Sequence, residues 1–387
     1  MKTLKDADIK NKTVLFRVDF NVTVEDGKVT EDFRMRAVLP TIQYLLENGA
    51  KKIVIISHFG RPNGIGGEHT LASAAEHLAK LLSLSVDFIA DTPGEGLREK
   101  IENSQHAVVV LENLRFYRGE EENDEGFTKE LAALGDIFVQ DAFGVMHRSH
   151  ASIVGVPKIL PAYAGLLLEK EVSALSRILS NPVRPLVILI GGAKISTKIR
   201  VIEKFLNIAD NICLGGALAS TALKAKGVAV GKSLVEERVA DSIKNIQFTD
   251  TRLHLPVDVK VAKDRDAKDG IVTRGAGNVG EDEIILDIGS DTQTLFSNVI
   301  HNSKTIIWNG PMGYIENEAF REGTHRIARE LADATSGGTF TVVGGGDTYL
   351  LLEELGIMDK ISFVSTGGGA MLDFLADGTL PGIEALK

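Results

Sequence analysis

The sequence lacks several things, and each absence narrows what the chain can be. It has one cysteine, Cys213, so no internal disulfide can staple it, and a reducing, cytoplasmic location is expected. Cys213 sits in the apolar run NICLGG and reads as a small buried core residue. No apolar run approaches the length of a membrane span, and the opening MKTLKDADIKNKT has no signal-type apolar stretch. There is no basic excess. The net charge is -10, from 43 Lys+Arg and 53 Asp+Glu, which argues against a nucleic-acid partner. No low-complexity tract or residue-level repeat appears. Neither phosphate-binding signature survives inspection. Gly275–Gly280 (GAGNVG) matches the dinucleotide fingerprint, but a strand-like run, EIILDI, follows it where a helix is required. Gly227–Ser233 (GVAVGKS) is one residue short of a Walker A loop and follows a helical stretch. His147 and His150 have no further His or Cys nearby, and Arg148 between them would repel a cation, so an anion site or an interdomain contact fits them better.

What is present is an α/β pattern long enough for two cores. The 387 residues are 44% hydrophobic and 25% charged, and exceed one ordinary domain. Continuous Val/Ile/Leu runs predict strands at 13–19, 52–57, 107–111 and 137–139. Helical patterns separate them at 40–47, 71–82 and 124–134. Runs of this kind are buried on both faces of parallel sheets. After an amphipathic helix at 169–179, stopped by Asn181-Pro182, the pattern restarts. Strands are predicted at 186–190, 211–214, 253–255, 305–308, 341–343 and 361–364.

Ligands of such sheets gather beyond the carboxyl ends of the strands. In the first half those ends deliver Arg17, Asp19 and Asn21, then His58 and Arg61, then Arg115, then Asp141 and Arg148. Four basic strand ends at equivalent positions predict a polyanion site. In the second half the same positions carry glycine, which lets backbone approach a ligand closely. Gly191-Gly192 is followed by Lys194 and Lys198, whose spacing of four predicts one face of a helix start. Phe340–Gly344 runs through Gly345 and Gly346 into Asp347 and Thr348, which predicts a helix N-terminus aimed at phosphate. Asp347 there is either a cap or a metal ligand.

These motifs resemble one family nearly end to end. RVDFN (17–21), SHFGRP (57–62), LENLRF (111–116), DAFGVMHRSHAS (141–152), GGAKIS with Lys198, WNGPMG (308–313), VVGGGDT (342–348) and STGGGA (365–370) are similar, in order, to those of phosphoglycerate kinases. The resemblance implies two doubly wound parallel-sheet, Rossmann-like domains joined by a hinge helix. Residues 1–168, with a returning tail at about 372–387, would bind 3-phosphoglycerate. Residues 169–180 would form the interdomain helix, and 181–371 would bind the nucleotide. It implies reversible phosphoryl transfer between 1,3-bisphosphoglycerate and ADP, with Mg²⁺, in a cytoplasmic monomer without nucleic-acid or membrane partners.

Carried over by position, Asp19 and Asn21 would hold the glycerate hydroxyl and carboxylate. His58, Arg61, Arg115 and Arg148 would take the non-transferred phosphate. Arg34 and Lys194 would flank the transferring group, and Lys198 would bind nucleotide phosphates. Gly215, Gly216 and Pro256 match the adenine pocket. Asn309 would also contact the nucleotide, and Glu316 the ribose. Asp347 would hold Mg²⁺, and Gly345, Gly346 and Thr348 would cradle phosphates. Two departures stand: Ala217 replaces a usual third glycine, and Ser290 replaces a usual proline. Domain closure about 169–179, 147–152 and 365–370 is expected, to exclude water. Another small-acid kinase and a catalytically silent anion-binding protein remain alternatives, as does the choice of base.

Overall fold

The period-two alternation of buried strands sorts the first core into two faces. Val14 and Phe16 join one cluster with Ile53, Ile55, Val108 and Val110. Leu15 joins another with Val54, Val109 and Phe138. Helices Phe33–Glu47 and Ala72–Leu82 cover the first face through Met35, Val38, Ile42, Leu45 and Leu78. Helices Leu97–Asn103 and Glu125–Ala132 cover the second through Leu97, Ile101, Phe127 and Leu131. A sheet covered in this way on both faces is doubly wound. This computed structural model describes residues 1–387 apart from 63, 92, 95, 195 and 237–249. Ile195 of the GGAKIS motif therefore lies outside the described residues.

The chain divides into two compact units, Met1–Leu175 with Asp377–Lys387, and Ser176–Ala376. The first contains β1 (Thr13–Arg17), β2 (Thr23–Glu25), β3 (Lys28–Glu31), β4 (Lys52–Ile56), β5 (Val86–Ile89), β6 (Val108–Leu111), β7 (Ile137–Gln140) and β8 (Ala162–Ala164). β2 and β3 form a hairpin, and the others form one parallel sheet in the order β5-β6-β4-β1-β7-β8. The last residues, with the short helix Pro381–Glu384, belong to this unit, where Gly382 donates its N–H to Met146 O at 3.0 Å.

The second unit contains β9 (Leu186–Ile190), β10 (Asn211–Leu214), β11 (Leu253–His254), β12 (Asp258–Ala262), β13 (Val272–Gly275), β14 (Ile284–Ile288), β15 (Thr305–Asn309), β16 (Phe340–Gly344) and β17 (Phe363–Ser365). Its parallel sheet runs β11-β10-β9-β15-β16-β17. The strand order reverses between β9 and β15, which is where such sheets open a ligand crevice.

The structure differs from the sequence reading in several elements. Helix Phe33–Glu47 begins seven residues before the expected start and contains Pro40, a residue that reads as a helix opening. Arg34 thus stands in a helical first turn. The connecting helix runs Leu166–Ser180, because Leu166 N and Leu168 N are capped by Thr41 Oγ1 (3.2 Å) and Asp141 Oδ1 (2.8 Å). Strands β12, β13 and β14 form an antiparallel three-stranded sheet that the parallel pattern did not predict. β13 is exposed along its whole length and carries no apolar run to reveal it. Gly275–Gly280 is the turn leading from β13 toward β14, as its flanks predicted.

Candidate functional site

The first unit gathers its polar residues beyond the carboxyl ends of β1, β4, β6 and β7. Leaving β1, the Asp19 carboxylate accepts from Asn21 N at 3.0 Å. Arg34 reaches across from its helix: Nη1 donates to Asn21 O at 2.6 Å, and Nε lies 3.7 Å from Asp19 Oδ2. After β4, His58 is buried, with Nε2 3.9 Å from Asp19 Oδ1. Gly60 links the elements. Its N–H donates to Asn21 Oδ1 at 2.8 Å, and its carbonyl accepts from Arg115 Nη1 at 2.7 Å. Asp19, Asn21 and Arg34 are therefore one connected group, with His58 beside it.

Next to it Arg61, Arg115, Arg148 and His150 line a cavity of about 390 Å³, with Pro62 and Glu121. Three guanidinium groups against one carboxylate make an anion site. Burial and the neighbouring arginines hold His58 well below the ordinary imidazole range and lower His150 to about 4. Both rings are neutral at pH 7, so the positive charge of the site belongs to its arginines. Burial also lowers Arg115, which stays charged.

The sequence reading counted Arg17 among the basic strand ends facing the ligand, but the structure turns it inward. Its side chain is buried under this site and meets Ser152 and His58, within a network that ends on buried Glu120. An arginine at the end of an otherwise apolar strand was the visible signal. Its inward direction was not.

In the second unit a cavity of about 260 Å³ lies beyond β9, β10 and β15. Gly192, Gly216, Ala217, Pro256, Met312, Glu316 and Asp347 line it. The chain crosses itself closely here. Gly216 has φ +60°, and a Cβ on it would stand 2.7 Å from Gly192 N. Gly215 is the N-cap of helix Gly216–Ala225, and a Cβ there would strike Met312 Sδ at 2.4 Å. Ser220, Tyr314 and Arg265 also line the cavity. Neither the helical run around Ser220 nor the charged turn around Arg265 marked them in the sequence.

Lys198 does not stand one helical turn beyond Lys194, as the spacing suggested. The helix begins at Ile199, Lys198 is its N-cap residue, and Lys194 is exposed ahead of it. Lys198 is buried, donates to Gly191 O, and is lowered by burial to about 8 against the opposing pull of Asp347. Asn309 donates to Gly344 O at 3.0 Å, and buried Thr348 accepts from Gly310 N at 3.0 Å, so both brace the loops.

Gly345, at φ +109°, is the N-cap of helix Gly346–Glu354. Asp347 is therefore in the first turn, not at the cap, and is exposed. Among the described residues no three His, Cys, Asp or Glu side chains form a metal cluster. One exposed carboxylate could hold Mg²⁺ only in company with ligands from a bound phosphate chain. The unit can thus receive a phosphate chain near Lys198 and Gly346–Thr348, with a flat group in the apolar cavity.

A family model described as phosphoglycerate kinase matches residues 4–378. The phosphoglycerate kinase of Thermosipho africanus (strain TCF52B) is 45% identical over 399 residues, covering 99% of this chain and 97% of its own. The structure of phosphoglycerate kinase from Coxiella burnetii is 38% identical, with a TM-score of 0.85 over 99% of this chain and 98% of that one. The enzyme from Pyrococcus horikoshii OT3 is 36% identical, with a TM-score of 0.87 over 100% of this chain and 98% of that one. With likeness of this extent in sequence and fold, the chain belongs to the phosphoglycerate kinase family.

Proposed function

We infer that the chain catalyses reversible phosphoryl transfer between the acyl phosphate of 1,3-bisphosphoglycerate and ADP, giving 3-phosphoglycerate and ATP, by direct in-line transfer. The observation that carries this reading is a pair of complementary cavities. One is rimmed by arginines in the first unit, and one in the second is largely apolar and lined by Gly192, Gly216 and Asp347, with Lys198 near Asp347. Phosphoryl transfer asks a protein mainly for positioning and charge stabilisation.

In this reading Arg61, Arg115 and Arg148 bind the phosphate that stays, with neutral His58 beside them. Asp19 and Asn21 orient the glycerate. Arg34 and Lys194 meet the transferring group, whose negative charge needs cations that the ground-state acid does not. Lys198 and the N–H groups of Gly345 and Gly346 hold nucleotide phosphates, and Thr348 braces the loop beside them. Gly215, Gly216 and Pro256 border the base, Glu316 the ribose, and Asn309 keeps the loop of β15 in place. When bound, Mg²⁺ would neutralise phosphate charge, and Asp347 would hold it. We further propose a cytoplasmic monomer, with residues 1–168 and the tail as the acid-binding domain and 181–371 as the nucleotide domain.

A coupled assay with ATP, Mg²⁺ and 3-phosphoglycerate tests the reading. Turnover is expected with 3-phosphoglycerate and not with acetate. Turnover of acetate alone would favour another small-acid kinase, and no turnover with either would favour a silent anion binder.

A further inference from the structure

Arg17 is almost wholly buried, at 1% exposure, and each edge of its guanidinium is engaged. Nε donates to Ser152 Oγ at 2.8 Å, Nη1 donates to Val18 O, and Nη2 meets His58 Nδ1 at 3.3 Å. Ser152 passes the arrangement on. Its hydroxyl donates to Glu120 Oε1 at 2.6 Å, and its N–H donates to Glu120 Oε2 at 2.9 Å. The single hydroxyl proton of Ser152 is thereby used, and Oγ can only accept from Arg17. Glu120 is fully buried. Arg17 therefore donates to both sides, to Ser152 and through it to Glu120 on one, and toward His58 on the other.

That direction settles the histidine. A guanidinium has donors and no acceptor, so His58 Nδ1 must carry the lone pair. The ring proton is then on Nε2. The nearest carboxylate oxygen, Asp19 Oδ1, is 3.9 Å from Nε2, beyond hydrogen-bond range.

We propose that Arg17, fixed by the Ser152–Glu120 relay, is a positioning residue that locks His58 as the neutral Nε2–H tautomer. The site then offers the bound acid one directed hydrogen-bond donor, for a hydroxyl or carboxylate oxygen, without adding a cation. This rests on the reading of the first unit's site as the phospho-acid site. The tautomer itself can be read without any substrate.

In ¹⁵N-labelled protein at neutral pH, long-range ¹H–¹⁵N spectra resolve the two nitrogens of each histidine ring. The His58 signals are identified by their loss in His58→Gln. A pyridine-like Nδ1 and a pyrrole-like Nε2 are expected. An imidazolium or an Nδ1–H ring in the wild type overturns the proposal, whatever the variants do. Ser152→Ala should mix the tautomers and raise KM for 3-phosphoglycerate about five- to tenfold, the worth of one hydrogen bond, with kcat within about twofold. Ser152→Thr, which keeps the hydroxyl, should restore both. A raised KM with an unchanged His58 spectrum would make Ser152 merely structural and overturn the relay. Wild-type protein with the expected tautomer but no turnover of 3-phosphoglycerate would instead overturn the functional reading.

Discussion

Among single residues, Arg34 carries the sharpest demand. Its guanidinium is held in place by Asn21 O and faces the Asp19 carboxylate, and its backbone sits in a helical first turn. That leaves it aimed rather than mobile. An arginine that meets a transferring phosphoryl group can be worth roughly 10³–10⁵ in rate. Arg34→Ala should therefore lower kcat by at least about a hundredfold, with the melting temperature little changed. Arg34→Lys should recover only part of this, since lysine lacks the planar fork. An unchanged kcat in Arg34→Ala would remove the residue from the reaction. Most residues of this kind were legible in the sequence, because arginines and histidines directly after apolar runs stand at strand ends. Three were less so. Arg17 stands at the same kind of place but turns inward. Ser152 and Glu120 look like ordinary loop and helix residues until the fold brings them to it. The expected Lys194–Lys198 helix face dissolved because a helix start cannot be fixed to within one turn from glycine spacing alone.

At the scale of elements, both cavities depend on where strands stop. The strands of both parallel sheets were largely readable from apolar runs. The exposed antiparallel strand β13 and the edge strand β5 were not, since half-exposed strands lose the continuous pattern that signals burial. The tight crossing of the loops after β9 and β10 was hinted at only by paired glycines. It gives a direct test. Gly216→Ala places a Cβ 2.7 Å from Gly192 N at a φ of +60°. Strain and clash together should destabilise the protein by about 1–3 kcal/mol and raise KM for ADP. Gly227→Ala is the control. Its φ is +80°, but its Cβ would have open space, so only the backbone cost applies. Equal denaturation midpoints and equal nucleotide KM values for the two variants would mean that the crossing is not what shapes the cavity.

For the whole molecule, the proposed reaction joins two groups of residues that belong to different compact units. Charges separated by more than a Debye length, about 8 Å at physiological salt, are largely screened. Direct transfer needs both groups within reach of one phosphoryl group, and we propose that the units close on it during turnover. Small-angle scattering should record a lower radius of gyration with both substrates bound than with either alone, and an unchanged radius would refute that closure.

Stability of the whole chain should also report Asp141. This buried carboxyl caps the connecting helix through Leu168 N and accepts from Thr41 Oγ1 at 2.5 Å. Burial pushes it from 3.8 up to about 7, against the pull of those hydrogen bonds. The folded state therefore holds this proton more tightly than the unfolded chain does. Its contribution is complete below about pH 4 and is lost as pH rises through about 7. His58 and His150 act in the opposite sense. Their depressed values cost stability as pH falls from about 6.5, so a wild-type profile alone mixes the effects. A difference isolates the carboxyl. Asp141→Asn keeps an acceptor for Leu168 N, presents an amide donor to the Thr41 hydroxyl, and cannot ionise. Its melting temperature relative to wild type should climb between pH 4 and 8, by an amount on the order of a few degrees. Parallel curves across that range would show that Asp141 does not give up its proton there.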